Sequence, residues 1–329
     1  MKLFKRGFLV LAIFSLLAML LTGCGAKQQA GENNEQSEQA EKVFVNIATG
    51  GTAGVYYPLG GAMAEILNKN IDGVNATAQS TGASVANINM LKDGSVQMAF
   101  VQNDIAYYAA NGTEMFKDQK VEGLKGLATL YPETIQIVTL DKTGINSIAD
   151  LKGKRVAVGA AGSGTEANAR QILNASDITY DDITVQYLSF AEAASNLKDG
   201  NVDAAFVTAG FPTAAIQDIA AQHNVVLLPV PGDVADKLMQ DYSFYTKVTI
   251  PAGTYPKQDS DVEAVSVMSM LAVTDAMDEQ LAYNIAKAIY SNLDALKAAH
   301  SVGAMITKEK AQEGMSIPLH PGAEKFFNE

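Results

Sequence analysis

The chain has 329 residues, 48% of them hydrophobic and 18% charged, with a formal net charge of −12. That length accommodates two lobes with sizeable cores, and negative charge without a basic stripe argues against a nucleic-acid partner. A single cysteine, Cys24, excludes a disulfide framework.

Lys2, Lys5 and Arg6 precede a short apolar run, Phe8 to Leu21. This pattern predicts a secretory signal over residues 1–23, too short and wrongly flanked for a comfortable membrane span. It ends in Leu21-Thr22-Gly23-Cys24, which resembles a bacterial lipobox. The expectation is cleavage before Cys24 and diacylation of that cysteine, since two acyl chains anchor stably where one does not. Residues 24–42 are polar, cannot bury a core, and read as a flexible tether.

The globular part begins with the apolar run Val43 to Ala48, the turn Thr49-Gly50-Gly51-Thr52, and an apolar segment of helical spacing. Backbone N–H groups at such a turn, together with a helix dipole, make a seat for an anion. A helix is predicted over Pro58 to Asn68, a strand over Val74 to Gln79, and a helix ending at Leu91 after the capping residues Ser80-Thr81-Gly82-Ala83-Ser84. A strand over Val96 to Val101 ends at Gln102-Asn103-Asp104, before a helix over Ile105 to Ala110. Strand, polar turn and helix alternate, the signature of a helix-flanked parallel sheet.

Leu124 to Leu140 holds two apolar runs split by Tyr131-Pro132-Glu133. The split is read as a crossing into a second lobe. The alternation then restarts, with strands predicted at Arg155 to Gly159, Ile183 to Leu188, Val202 to Thr208 and Val225 to Val230. The turn Gly162-Ser163-Gly164-Thr165 opens a helix to about Asn174, and Ser189 caps the next. Leu91-Lys92-Asp93-Gly94 before Ala99-Phe100-Val101 is echoed by Leu197-Lys198-Asp199-Gly200 before Ala205-Phe206-Val207. Two similar α/β lobes follow from this echo. Ser243 to Thr274 is expected to hold long strands returning to the first lobe, and Met277 onward to be helical. The predicted organisation is lobe 1 over 43–130 and 265–329, and lobe 2 over 131–264, with a cleft between them.

Several motifs compete for a chemical role. Gly162-Ser163-Gly164-Thr165-Glu166-Ala167 fits the dinucleotide pattern G-x-G-x-x-A, but an exported protein rarely meets that cofactor. As a P-loop it fails, because Thr165 stands where the lysine should be. His223, His300 and His320 show no metal spacing; His320 suits a bond to a backbone carbonyl. Asp181-Asp182 reads as a solvated turn, Arg155 as a strand flank, and Arg170 as the i, i+4 partner of Glu166. No cofactor and no catalytic set is predicted. An acidic ligand would then depend on helix-start N–H groups and on the hydroxyls of Thr52, Ser80, Thr81, Ser163 and Thr165. Of Tyr56 and Tyr57, one is expected in the core and one at the cleft. Phe211, after Gly210, is either a cleft wall or core.

Five stretches together, GGTAGVYYPLG, STGASVANI, LKGKRVAVGAAGSGTEANAR, IPAGTYP and PLHPGA, resemble the TAXI family of solute-binding proteins, the receptors of one branch of TRAP transporters. The resemblance implies a type II periplasmic-binding-protein fold that closes around a small carboxylate or amino acid. It also implies delivery to TRAP permease subunits driven by an ion gradient. The site expected from motif and turn position comprises Gly51, Thr52, Tyr56, Tyr57, Ser80, Thr81, Gly82, Gln102, Asn103, Ser163, Gly164, Thr165, Gly210 and Phe211, with Cys24 tying the chain to the lipid bilayer. A cleft enzyme on the same fold and a ligand-sensing lipoprotein without a permease are the alternatives.

Overall fold

The computed structural model describes residues 42–329. The expected signal over 1–23, the lipidation of Cys24 and the tether up to residue 41 lie outside the described residues.

The first βα series is β1 (Val43–Ala48), α1 (Tyr56–Asn70), β2 (Val74–Gln79), α2 (Ser84–Lys92), β3 (Met98–Gln102) and α3 (Asn103–Asn111). β1 pairs in parallel with both β2 and β3, as strands joined by helical crossovers do. The chain then enters β4 (Leu124–Leu140), and a second series follows: β5 (Arg155–Ala157), α4 (Gly164–Ala175), β6 (Thr184–Gln186), α5 (Phe190–Asp199) and β7 (Ala204–Ala209). β5 is parallel to β6 and β7. The remainder is α6 (Ala214–Ala220), β8 (Val225–Leu228), α7 (Gly232–Asp241), β9 (Thr246–Ile250), β10 (Val262–Thr274), α8 (Glu279–Tyr290), α9 (Leu293–Ala299) and α10 (Pro321–Phe327).

All ten strands form one sheet, ordered β2-β1-β3-β10-β4-β7-β5-β6, with β8 on β4 and β9 on β10. The two long strands tie its halves together. β10 runs antiparallel to three partners: β9 along Val262 to Ser266, β4 along Ser266 to Thr274 and β3 along Ser269 to Ala272. β4 passes from β10 to β7 and β8. The segment Tyr131-Pro132-Glu133, expected to separate two apolar runs, therefore lies inside one 17-residue strand. Its backbone is buried between neighbouring strands, and that context overrides the break a proline usually signals. Pro132 lies opposite Met268, and the register slips by a residue just beyond. Pro132 has no N–H to give, and the Met268 N–H donates to Asn103 Oδ1 at 3.0 Å.

The echoed Leu-Lys-Asp-Gly pieces do the same work. Gly94 and Gly200 adopt left-handed conformations, with φ of 77° and 75°, and each donates its N–H to the leucine three residues back. Such a C-terminal turn is what glycine permits and a Cβ penalises. The expected helix after Met277 is two helices, interrupted at Ser291-Asn292, and α7 was not anticipated from the sequence.

Candidate functional site

The N-terminal turn of α4, the two loops at Gly50–Gly51 and Thr81–Ala83, and the start of α5 follow the C-terminal ends of β5, β1, β2 and β6 and meet over the middle strands of the sheet. They enclose a cleft with about 550 Å³ of atom-free space, part of it open to solvent, lined among others by Gly51, Tyr56, Gly82, Gln102, Glu133, Thr165 and Thr208.

The floor follows from strand register. Gln102 on β3 lies opposite Ser269 on β10. Val267, two residues earlier on β10, lies opposite Glu133 on β4. Thr208 on β7 lies opposite Ile135, two residues after Glu133. Residues two apart along a strand share a face, and so do opposed residues. Gln102, Ser269, Glu133 and Thr208 thus stand in a row on one face of β3, β10, β4 and β7.

Glu133 is the charged group of that row. It is 3% exposed, and its Oε2 accepts the Tyr56 hydroxyl at 2.6 Å. Burial pushes its carboxyl up to about 8, although the Tyr56 hydrogen bond pulls the other way. Burial and the neighbouring carboxylate in turn drive the Tyr56 phenol well above its ordinary value. The cleft lining contains no lysine, arginine or histidine among the described residues.

Gln102 is oriented by a buried chain of polar groups. Asn168 on α4 donates its Nδ2 to Asp104 Oδ2 and to the Tyr245 hydroxyl, both at 3.0 Å. Its Oδ1 therefore faces Gln102, whose Nε2 donates to it at 3.0 Å. The amide's other atom, Gln102 Oε1, is left buried without a hydrogen-bond partner, over Gly164. A Cβ on Gly164 would fall on this oxygen. The chain continues from Tyr245 to Gln171 Oε1 at 2.6 Å and from Gln171 to the Tyr108 hydroxyl at 3.2 Å. Burial raises the Asp104 carboxyl to about 6, against the pull of its bonds from Ile105 and Asn168.

The loops that form the rim are built from hydroxyls turned to the backbone. Ser80 donates to Gly50 O at 2.9 Å, and Thr81 donates to Thr49 O at 3.0 Å while accepting from Ala83 N. Ser84 Oγ accepts from Gln102 N at 3.1 Å. Ser163 caps α4 by accepting from Glu166 N at 3.2 Å, and Ser189 caps α5 with Glu192 in a capping box. Gly162 O accepts from both Val85 N and Ala86 N at 3.1 Å, so the β5–α4 loop sits on the start of α2.

These placements divide the expected residues. Gly51, Tyr56, Thr81, Gly82, Gln102, Ser163, Gly164 and Thr165 line the cleft. Thr52, Tyr57, Ser80, Asn103, Gly210 and Phe211 do not. Thr52 and Ser80 face solvent, as does Tyr57, which is 38% exposed. Asn103 spends its amide on Met268 N and Gly314 O. Gly210 packs under Val302 and Tyr131, and Phe211 packs on the main apolar cluster. Tyr56 takes both roles expected of the tyrosine pair: its ring stacks on Phe100 at 5.0 Å and its hydroxyl meets Glu133. Of the five expected donor hydroxyls near the turns, those of Ser80 and Thr81 donate to the protein's own backbone and that of Ser163 accepts from it. Sequence reading missed Glu133, Ser84, Ser189, Phe190 and Thr208. Only Glu133 carried a signal, as an acidic residue inside an apolar run.

Away from the cleft, Arg155 forms a two-point pair with Asp203, at 3.0 and 2.6 Å. Arg170 Nε meets Glu166 at 3.3 Å. His320 lies 3.0 Å from Met277 O through Nε2 and caps α10 through Nδ1. Asp182 closes a capping box with Thr179.

A sheet whose two halves are joined by long strands, with a polar cleft at the helix starts, is the architecture of two-lobed periplasmic binding proteins. Solved structures agree. PhnD1 from Prochlorococcus marinus (MIT 9301), in complex with methylphosphonate, matches with a TM-score of 0.54 at 11% identity, over 79% of this chain and 89% of that one. A protein of Bordetella bronchiseptica RB50 matches with a TM-score of 0.52 at 16% identity, over 87% and 89%. A putative L-cystine ABC transporter from Listeria monocytogenes matches with a TM-score of 0.50 at 17% identity, over 81% and 99%. Residues 47–329 match the family model, and the chain belongs to the NMT1-like family.

Proposed function

We propose that the protein is an extracytoplasmic solute-binding receptor, which captures a small carboxylate or amino acid and hands it to a membrane permease. The carrying observation is the cleft itself: unpaired polar atoms and helix-start N–H groups over a buried floor. The first turn of α4 offers N–H groups and the Thr165 hydroxyl to a carboxylate, which is the charge a helix N-terminus favours. Lobes at 43–130 with 265–329 and at 131–264 would close over the ligand by a hinge motion. With no cation among the described lining residues, a dianionic head would lack a partner for its second charge; a monoanionic head suits this cleft better. We further propose that residues 1–23 are a secretory signal and that acylated Cys24 holds the protein to the membrane.

For the permease, the motif resemblance supports a TRAP system of the TAXI type. The name of the Listeria protein supports a second reading, an ATP-driven permease. Thermal-shift and native mass-spectrometry screens of the soluble domain against carboxylates and amino acids test the receptor reading: a stabilising ligand released unchanged is expected, and turnover would instead favour the cleft enzyme. Reconstitution with the cognate permease separates the two drives. Uptake that follows an imposed ion gradient supports TRAP, and uptake that requires ATP refutes it.

A further inference from the structure

The two halves of the molecule meet on both sides of the cleft, and the two meetings are built differently. On one side α4 lies against α2 and α3. Asn168 on α4 donates to Asp104 at the start of α3 and accepts from Gln102 at the end of β3, both at 3.0 Å. One turn on, Gln171 donates to the Tyr108 hydroxyl at 3.2 Å. All five of these residues are buried. Ala167 joins the apolar cluster of Ile105 and Met270, and the Phe244 ring packs on those of Tyr107 and Tyr108 at 5.0 and 5.9 Å. Past the start of α4 the seam continues, with Gly162 O accepting from Val85 N and Ala86 N. On the other side the loop after β1 faces the starts of α5 and α6. There Ala215 N donates to Ala53 O at 3.2 Å. A Cβ on Gly51 would stand 3.9 Å from Ser189 Cβ, and one on Gly54 would stand 3.4 Å from the Phe190 ring. Gly51, Ala53, Gly54, Ser189 and Phe190 are half-buried, and Thr52 at the crest is exposed.

We propose that the seam of α4 with α2 and α3 is a fixed pivot, and that the cleft opens on one side only, where the Gly51–Gly54 loop leaves the starts of α5 and α6. Parting the α4 seam would break directional bonds that share partners, so their costs would fall together. It would also carry Asp104, Asn168 and the apolar surface around Ala167 into water. Parting the other side gives up a backbone bond and wets groups that are already half wet. The pivot is anchored as well. Asn103, beside Asp104, accepts from Met268 N and donates to Gly314 O, both at 3.0 Å, so the start of α3 is tied to β10, a strand both halves share. The proposal rests on the hinge motion of the receptor reading and adds its direction: solute enters past Gly51, Thr52, Ser189 and Phe190, and not between α3 and α4.

Three backbone amides report the two sides in the unaltered, ligand-free chain. Val85 and Ala86 lie in the first turn of α2 and Ala215 in the first turn of α6, where an N–H has no acceptor within its own helix. Each finds its acceptor across the cleft, on Gly162 or on Ala53. Single-amide hydrogen exchange should show Ala215 protected at least about tenfold less than Val85 and Ala86, as a locally opening contact is against a closed one. Equal protection, or the reverse order, overturns the pivot. Distances between paired spin labels give the second measurement, again without ligand. Cys24 is the only cysteine, so Cys24→Ser leaves a clean background. Thr52→Cys with Ala191→Cys spans the opening side. Asn111→Cys with Asn174→Cys spans the seam, one turn beyond the Tyr108–Gln171 bond, and all four positions are exposed. The first pair should spread to distances longer than in this structure, and the second should give one narrow distance that matches it. A spread in the seam pair overturns the pivot and leaves the hinge motion standing. Two narrow distances that both match this structure overturn the pivot and the hinge motion together.

Discussion

Tyr56 donates its hydroxyl to Glu133 Oε2 at 2.6 Å, joining the first turn of α1 to the middle of β4. Among the described residues this is the one side-chain hydrogen bond to the buried carboxyl. Tyr56→Phe should therefore cost about 1–3 kcal/mol, the penalty of a buried polar group that loses its partner. Urea denaturation of the variant measures it. An unchanged midpoint would show that Glu133 finds another donor.

The same carboxyl makes stability depend on pH. Its pKa is about 8 in the folded protein, above its ordinary value of 4.5. Folding therefore favours the protonated form, and the favourable contribution is complete below pH 4.5 and is lost as pH rises toward 8. The loss has a slope of up to about 1.4 kcal/mol per pH unit. Glu133→Gln should flatten that part of the profile, so the variant gains on the wild type steadily from pH 5 to 8. Parallel profiles would contradict this.

Asn168 is bonded at once to Gln102, Asp104 and Tyr245. Asn168→Ala should destabilise the fold by about 2–4 kcal/mol, because it strands several buried polar groups together. It should also weaken ligand binding, since Gln102 would be free to turn its amide. Thermal denaturation and calorimetry on the same variant separate the two effects.

Gly164→Ala would drive a methyl group into the Gln102 amide oxygen. The helix itself tolerates alanine well. The expected result is a modest loss of melting temperature with ligand affinity weakened by about 0.5–1.5 kcal/mol, the value of one neutral hydrogen bond. Affinity equal to the wild type would place the ligand away from α4.

Thr165 lines the cleft, whereas Thr52 is exposed beyond its rim. Thr165→Ala should cost roughly 0.5–1.5 kcal/mol of binding, the value of one neutral hydrogen bond, and Thr52→Ala nothing measurable. A reversed order in calorimetry would place the ligand outside this cleft.

Much of the scaffold was legible in the sequence, because its signals are local. Apolar runs, capping residues and glycines such as Gly94 and Gly200 declare βα units within a few residues. The site was only half legible, because its decisive relationships are long-range. Nothing near Ser80 or Thr81 tells whether a hydroxyl faces the ligand or its own backbone; the Gly50 loop, distant in sequence, decides that. Glu133 was visible as an oddity beside Pro132, but it reads as part of a crossing between lobes until β10 and Tyr56 are placed against it. Pairing across the sheet turns the same residues from a break into the floor of the cleft.

Pro132 carries a further consequence. At one level of the sheet it supplies no N–H, the register of β4 against β10 slips, and the Met268 N–H is engaged by Asn103 instead of the ladder. Both strands that join the halves of the molecule are thus thinned at the same height. We propose that a closure of the two halves would bend the sheet at this level. The residue beside it is Glu133, so the group best placed to feel a bound solute adjoins the line about which the protein would bend.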